Sequence, residues 1–324
     1  MNNTLPEIKQ RRASPLARAA LFIFYALAAA VIFNYLRKVD PQSFLNLSIN
    51  WGLLSAAVAV SVISRFAFSN TFILILSGFS PDRSKWVLGN NAYARSWIGR
   101  YLPGKVAGLL ARMYFFSPLG ASHSAVAVAS VLEVALCLFS GAVLGVAGLA
   151  LAGSLDLDPS LHQVAFPAAL VSLLLVSPPV INLVLKMILR VTGRAHLAEG
   201  LRVGTRTTVI GFLGVVTEML ICGAMYWLLA ASLHQGIQLG HYFLLTGAFS
   251  LAGALGLAAF FTPAGLGVRE LVVLPFLTKI MPAEASLAMI GLVRLIELLA
   301  DIIYWLLSVW MAKTFGPGQR VADG

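Results

Sequence analysis

The chain has 324 residues, 59% of them hydrophobic and 11% charged, with a formal net charge of +10 and a mean hydropathy of +0.87. This composition excludes a soluble domain with one anchor and indicates an integral membrane protein. The basic residues fall in short loops between apolar runs, where orientation bias and anionic headgroups account for them, so nucleic acid is not an expected partner. A span needs roughly 20 apolar residues, which predicts about eight spans in one all-α domain over residues 1–324.

A cytoplasmic tail, 1–18, carries Lys9, Arg11, Arg12 and Arg18. The apolar run 19–36 that follows is too long for a signal-peptide core and reads as an uncleaved first span. The second apolar segment, about 44–79, exceeds one crossing and contains Arg65. It is read as a long tilted helix or one with a snorkelling Arg65. Between Pro81 and Leu119, two short runs, 86–101 and 106–116, flank Arg100-Tyr101-Leu102-Pro103-Gly104-Lys105, with Arg112 beyond. They predict a re-entrant pair of half-helices. The alternative is an amphipathic helix lying in the interface.

The third span, 121–152, places Ser130, Glu133, Cys137, Ser140, Gly141, Gly145 and Gly148 at steps of three and four, on one helical face. Small and polar residues mark the packing face of a membrane helix, so Glu133 is predicted to point into the bundle. A fourth span, 164–189, contains Pro178-Pro179 as an expected kink and completes the first half, 19–189. The basic connection 190–206 is cytoplasmic by the same bias. In the second half, 207–313, a fifth span at 207–233 carries Gly211, Gly214, Glu218 and Cys222 on one face, and a sixth covers 242–261. A short seventh, from Val268 to about Ile280, precedes a last helix, 285–312, with Arg294, Glu297, Asp301 and Tyr304 on one stripe. A cytoplasmic tail, 314–324, closes the chain. Both cysteines, Cys137 and Cys222, lie in apolar runs and read as packing residues with no metal-ligand spacing.

The stretch Phe261 to Glu270 interrupts this pattern with Pro263, Gly265 and Gly267, then adds Arg269 and Glu270. Pro removes a donor and Gly admits left-handed backbone, so the helix is expected to stop and restart near Val268 with unpaired N–H groups turned inward. Such an end attracts anions. With the Pro103-Gly104 break it makes two interrupted segments in corresponding halves, the pattern of a transporter built from two repeats, parallel or inverted, with its site at their interface. Each charge near the bilayer centre costs about 2.5 to 3.5 kcal/mol, so Glu133, Glu218, Arg269, Glu270, Arg294, Glu297 and Asp301 must pair or face water. Arg294 and Glu297, one turn apart, are placed to neutralise each other. Acids outnumber bases in this set, leaving the balance to cations from the broken segments or to protons on carboxyls.

The motifs Arg100 to Lys105 and Thr262 to Glu270, with Glu133 and Arg294, resemble the transmembrane, flippase-like domain of the lysylphosphatidylglycerol synthase family, over essentially the whole chain. Val134 stands where that family frequently has Arg, which leaves the pairing of Glu133 open, and Ala264 where it usually has Gly. The resemblance implies the translocating half without the soluble synthase domain.

The expected function is movement of an anionic lipid or lipid-linked headgroup, a phospholipid or polyprenyl phosphate, across the cytoplasmic membrane in lipid modification or envelope assembly, with both termini cytoplasmic. Arg100, Pro103, Gly104, Lys105, Arg112, Pro263, Gly265, Gly267 and Arg269 form the expected substrate site. Glu133, Glu218, Glu270, Arg294, Glu297 and Asp301 form the internal charge network. No catalytic residue, metal or cofactor is expected. The enzymatic alternative is a glycosyltransferase using a lipid-phosphate donor, with Asp156 and Asp158 as a D-x-D. A third is a scaffold of an envelope assembly complex.

Overall fold

The computed structural model describes residues 47–79, 86–97, 106–151, 177–191, 202–259 and 265–315, together with positions 167 and 174. The described residues form helices α1 (Trp51–Leu76), α2 (Trp86–Trp97), α3 (Val106–Phe116), α4 (His123–Leu151), α5 (Pro178–Val191), α6 (Thr205–Leu233), α7 (His241–Ala258), α8 (Val268–Ile280) and α9 (Ala283–Phe315). Four of them, α1, α4, α6 and α7, are long and apolar enough to cross a membrane. The expected eight spans are therefore not established: the first, 19–36, and much of the N-terminal part of the fourth, 164–189, lie outside the described residues. Helix α9, 33 residues and about 50 Å long, spans by length but carries its polar stripe through the apolar part.

The helix ends follow local chemistry. Asn50 caps α1 by accepting from the N–H groups of Gly52 and Leu53, each at 3.1 Å, and its own N–H donates to the Ser232 carbonyl at the end of α6. Asn50→Ala is accordingly expected to cost about 1 kcal/mol, read as a lower melting point in detergent. Ser122 accepts from Ala125 N–H at the start of α4. Pro178 opens α5 rather than kinking its middle, with Ser177 in a bend before it; the first turn of a helix is where a missing N–H costs nothing.

The most extensive contacts join α1 to α6 and α4 to α7. Glycines make both seams close. The predicted stripe of α4 is buried from Ser130 to Gly148, and Gly141, Gly145 and Gly148 lie against the backbone and small side chains of Gly247, Ser250, Leu251 and Ala254 on α7. On α6, Gly211 meets Ile75 and Gly214 meets Thr71 of α1. The short helix α2, with its buried Asn90, Asn91 and Ser96, is held between α1 and α9. Ser69 Oγ donates to Asn90 Oδ1 at 2.5 Å, and Tyr304 donates to the Asn90 carbonyl at 3.1 Å. Among the described helices, the order is similar on the two sides of α5: a long helix, two shorter ones, and another long helix.

Candidate functional site

Three charged clusters lie between the helices. In the first, Glu133 of α4 pairs with Arg112 of α3. Tyr93 of α2 donates to Glu133 at 2.9 Å, and Arg112 also reaches the Tyr93 hydroxyl at 2.9 Å and Ser130 at 3.3 Å. The Arg112 guanidinium sits 4.6 Å from the ring centres of both Phe72 and Tyr93, a placement that favours a planar cation. Arg112 is thus the partner that the sequence left open for Glu133.

The second cluster joins Arg65 of α1 to Asp301 of α9 at 2.6 Å, and Trp97 Nε1–H donates to the same carboxylate oxygen at 3.1 Å. Arg65 does not snorkel: it is only 8% exposed. An isolated Arg could reach the interface, but one with a carboxylate across the helix seam is better satisfied inside.

The third cluster lies at the second break. Glu270 accepts from Arg294 Nε at 2.8 Å and Nη2 at 2.5 Å, while Glu297 stands 3.7 Å from Arg294 and 3.6 Å from Arg269. Arg294 therefore pairs chiefly with Glu270, not with its helical neighbour. A two-point contact across α8 and α9 is geometrically better than a stretched one along a single helix. Gly265 and Gly267 take φ of 71° and 84°, the left-handed conformation that glycine allows at least cost. The predicted restart at Val268 is present, and the Gly267 N–H just before it donates to Glu270 Oε2 at 2.7 Å. The glycines act through shape. A Cβ on Gly256 would stand 2.9 Å from Arg269 Cγ, and one on Gly265 would stand 3.0 Å from Gly256 Cα, so the pair opens the path along which Arg269 runs.

The clusters border one chamber of about 480 Å³, within the range of small-ligand sites. Arg65, Arg112, Arg269, Glu133, Glu218 and Glu297 contribute its charged lining, and Gly108, Gly253, Gly256 and Gly265 part of its wall. Two guanidinium nitrogens, Arg65 Nη2 and Arg269 Nε, are buried without a hydrogen-bond partner among the described residues. A smaller cleft of about 20 Å³, large enough for one water, adjoins the chamber beside Arg294 and Glu270 and shares Arg269 and Glu297 with it.

Of the predicted substrate residues, Arg112, Gly265 and Arg269 reach the chamber, whereas Gly267 serves as the start of α8. Arg100, Pro103, Gly104, Lys105 and Pro263, and the loop aspartates Asp156 and Asp158, lie outside the described residues. Of the predicted network, Glu133, Glu218 and Glu297 line the chamber, Glu270 and Arg294 border the cleft, and Asp301 stands behind Arg65. Sequence reasoning missed Arg65 as a site residue, together with Tyr93 and Trp97. The surplus of acids was the available signal, because it required a further intramembrane cation and Arg65 is one. Cys222 does more than fill space, since its thiol donates to Glu218 at 3.1 Å.

These features define a multi-pass helical membrane protein with a polar, charge-lined chamber among its spans. The chain belongs to the family described as the lysylphosphatidylglycerol synthase TM region, whose profile matches residues 17–304. No curated protein matches it.

Proposed function

We propose that this protein is a carrier, without covalent chemistry of its own, that moves an anionic lipid or lipid-linked headgroup across the cytoplasmic membrane, in lipid modification or envelope assembly. A phospholipid or a polyprenyl phosphate supplies the required chemistry. The single observation that carries the reading is the pair of buried, unpartnered guanidinium nitrogens, Arg65 Nη2 and Arg269 Nε, on residues that border one chamber. Buried donors cost free energy unless they are bonded, and a phosphate oxygen is the acceptor that best suits a guanidinium edge. The resident partners hold other nitrogens of the same groups, Asp301 at Arg65 Nε and Glu297 beside Arg269 Nη1, so the cations are held in place before a headgroup arrives. The matching order of elements on the two sides of α5 supports a two-repeat carrier with its site between the repeats. The distribution of basic loops supports a cytoplasmic location for both termini.

The test is movement of a fluorescent phosphatidylglycerol between leaflets of vesicles containing the purified protein. Losing one charged hydrogen bond removes about 1.5 to 3 kcal/mol, so Arg269→Ala is expected to slow movement by roughly tenfold to a hundredfold. A folded Arg269→Ala protein that moves lipid at the wild-type rate overturns the reading.

A further inference from the structure

We propose that Glu218 is a proton-binding site coupled to the chamber, taking up one proton for each anionic headgroup that binds. This rests on the preceding reading that the chamber takes an anion. The other four acids of the clusters each have an arginine within 4 Å: Glu133 has Arg112, Asp301 has Arg65, Glu270 has Arg294, and Glu297 has Arg269. Glu218 is more than nine-tenths buried and lines the chamber, yet it has no such ion pair among the described residues. Its hydrogen bond is the weak one from the Cys222 thiol, on the next turn of α6.

Several groups face it from the surrounding helices. Arg65 approaches from α1, Arg269 from α8 and Glu297 from α9. Cys137 of α4 lies near enough to interact with both Glu133 and Glu218. Tyr226 of α6 is near enough to interact with it as well, and Phe249 and Ser250 of α7, with Arg112 and Glu133, line the same chamber. The two cations whose nitrogens are unpartnered are therefore the two whose charge reaches Glu218.

That arrangement sets up a competition. With Glu218 ionised, the four arginines and five acids of the clusters carry one surplus negative charge, and Arg65 and Arg269 are the cations that offset it. A phosphate binding to the same guanidinium edges would bring a second negative charge into a confined, weakly screened space. A proton on Glu218 removes the conflict and leaves both cations to the phosphate. Because such coupling is reciprocal, a bound anion strengthens proton binding as much as the proton strengthens anion binding. A monoanion and a proton crossing together move no net charge, so the membrane potential does not oppose them. An acidic exterior would drive the pair from the outer to the inner leaflet.

The test uses the full chain in detergent with dioctanoyl phosphatidylglycerol, a phosphodiester that keeps a single charge between about pH 5 and 9. Calorimetry gives Kd across that range, and a pH dye in weak buffer counts protons taken up on binding. The wild-type protein should take up as much as one proton per ligand, with Kd rising by as much as roughly tenfold per pH unit where Glu218 ionises. Glu218→Gln should bind with a flat Kd close to the tight, acidic-limit value and take up no proton. A flat wild-type Kd without proton uptake overturns the proposal, and so does wild-type uptake persisting in Glu218→Gln. Should the Gln variant fail to fold, Glu218→Met takes its place and is read by the same two outcomes. Binding that Arg269→Ala abolishes but that exchanges no proton removes the coupling and leaves the anion site standing. No binding by the wild-type protein at any pH removes both.

Discussion

Asp301→Ala is expected to destabilise the detergent-solubilised protein by about 3 to 5 kcal/mol, the cost of leaving a buried charge without its partner. Asp301 accepts from Arg65 at 2.6 Å and from Trp97 at 3.1 Å, so one carboxylate ties α1 and α2 to α9. After its removal Arg65 stays in the middle of α1, 8% exposed and without its carboxylate. Asp301→Asn should cost less, because an amide oxygen still accepts from the guanidinium and the indole but carries no charge. The Arg65→Met, Asp301→Leu pair should recover much of the loss, since exchanging both members of a buried ion pair for apolar groups is often neutral. Unfolding followed by tryptophan fluorescence measures all three. A wild-type transition in Asp301→Ala would mean that Arg65 escapes to solvent, and the assignment of this pair as a buried clamp would be wrong.

The second large effect is expected at the seam between α4 and α7. A Cβ on Gly148 would meet the Phe243 carbonyl oxygen and would stand 2.7 Å from Gly247 Cα and 2.9 Å from Gly247 N. All three are backbone atoms, which cannot rotate away as a side chain can. Gly148→Val must therefore push the helices apart, at a cost of about 3 kcal/mol or more by the measure of overpacked cores. Loss extends beyond the substituted site. Helix α4 carries Glu133 and α7 carries Gly253 and Gly256, so separating them displaces walls of the chamber, and lipid movement should fall together with the melting temperature. Gly291→Ala on α9 is the matched control: nothing lies within 4 Å of its added Cβ, so it should leave stability within about 0.5 kcal/mol. Equal tolerance at Gly148 and Gly291 would show that the α4–α7 seam is looser than described.

Much of the site was readable one helix at a time. The stripe of α4 from Ser130 to Gly148 and that of α9 from Glu297 to Tyr304 are both buried, because residues three and four apart necessarily share a face. The restart of a helix at Val268 followed from Pro and Gly for a similar reason: those residues restrict or release their own backbone whatever surrounds them. Partners were a different matter. Arg294 has Glu297 one turn away and Glu270 on another helix, and it takes Glu270 at the shorter distance. Arg65 looked like a snorkelling residue because its partner lies 236 positions further along the chain.

The amino-acid sequence alone determined that the protein lives in a membrane, which faces of α4 and α9 are polar and buried and that a helix restarts at Val268, since hydropathy, periodicity and the conformational limits of Pro and Gly are local properties. Tertiary packing alone decided which charges neutralise one another. It also set the Glu270 carboxylate over the start of α8 and left Glu218 without an ion pair among the described residues. The reason is distance: an ion pair is chosen by ångströms across a helix seam, and separation along the chain carries no information about that length.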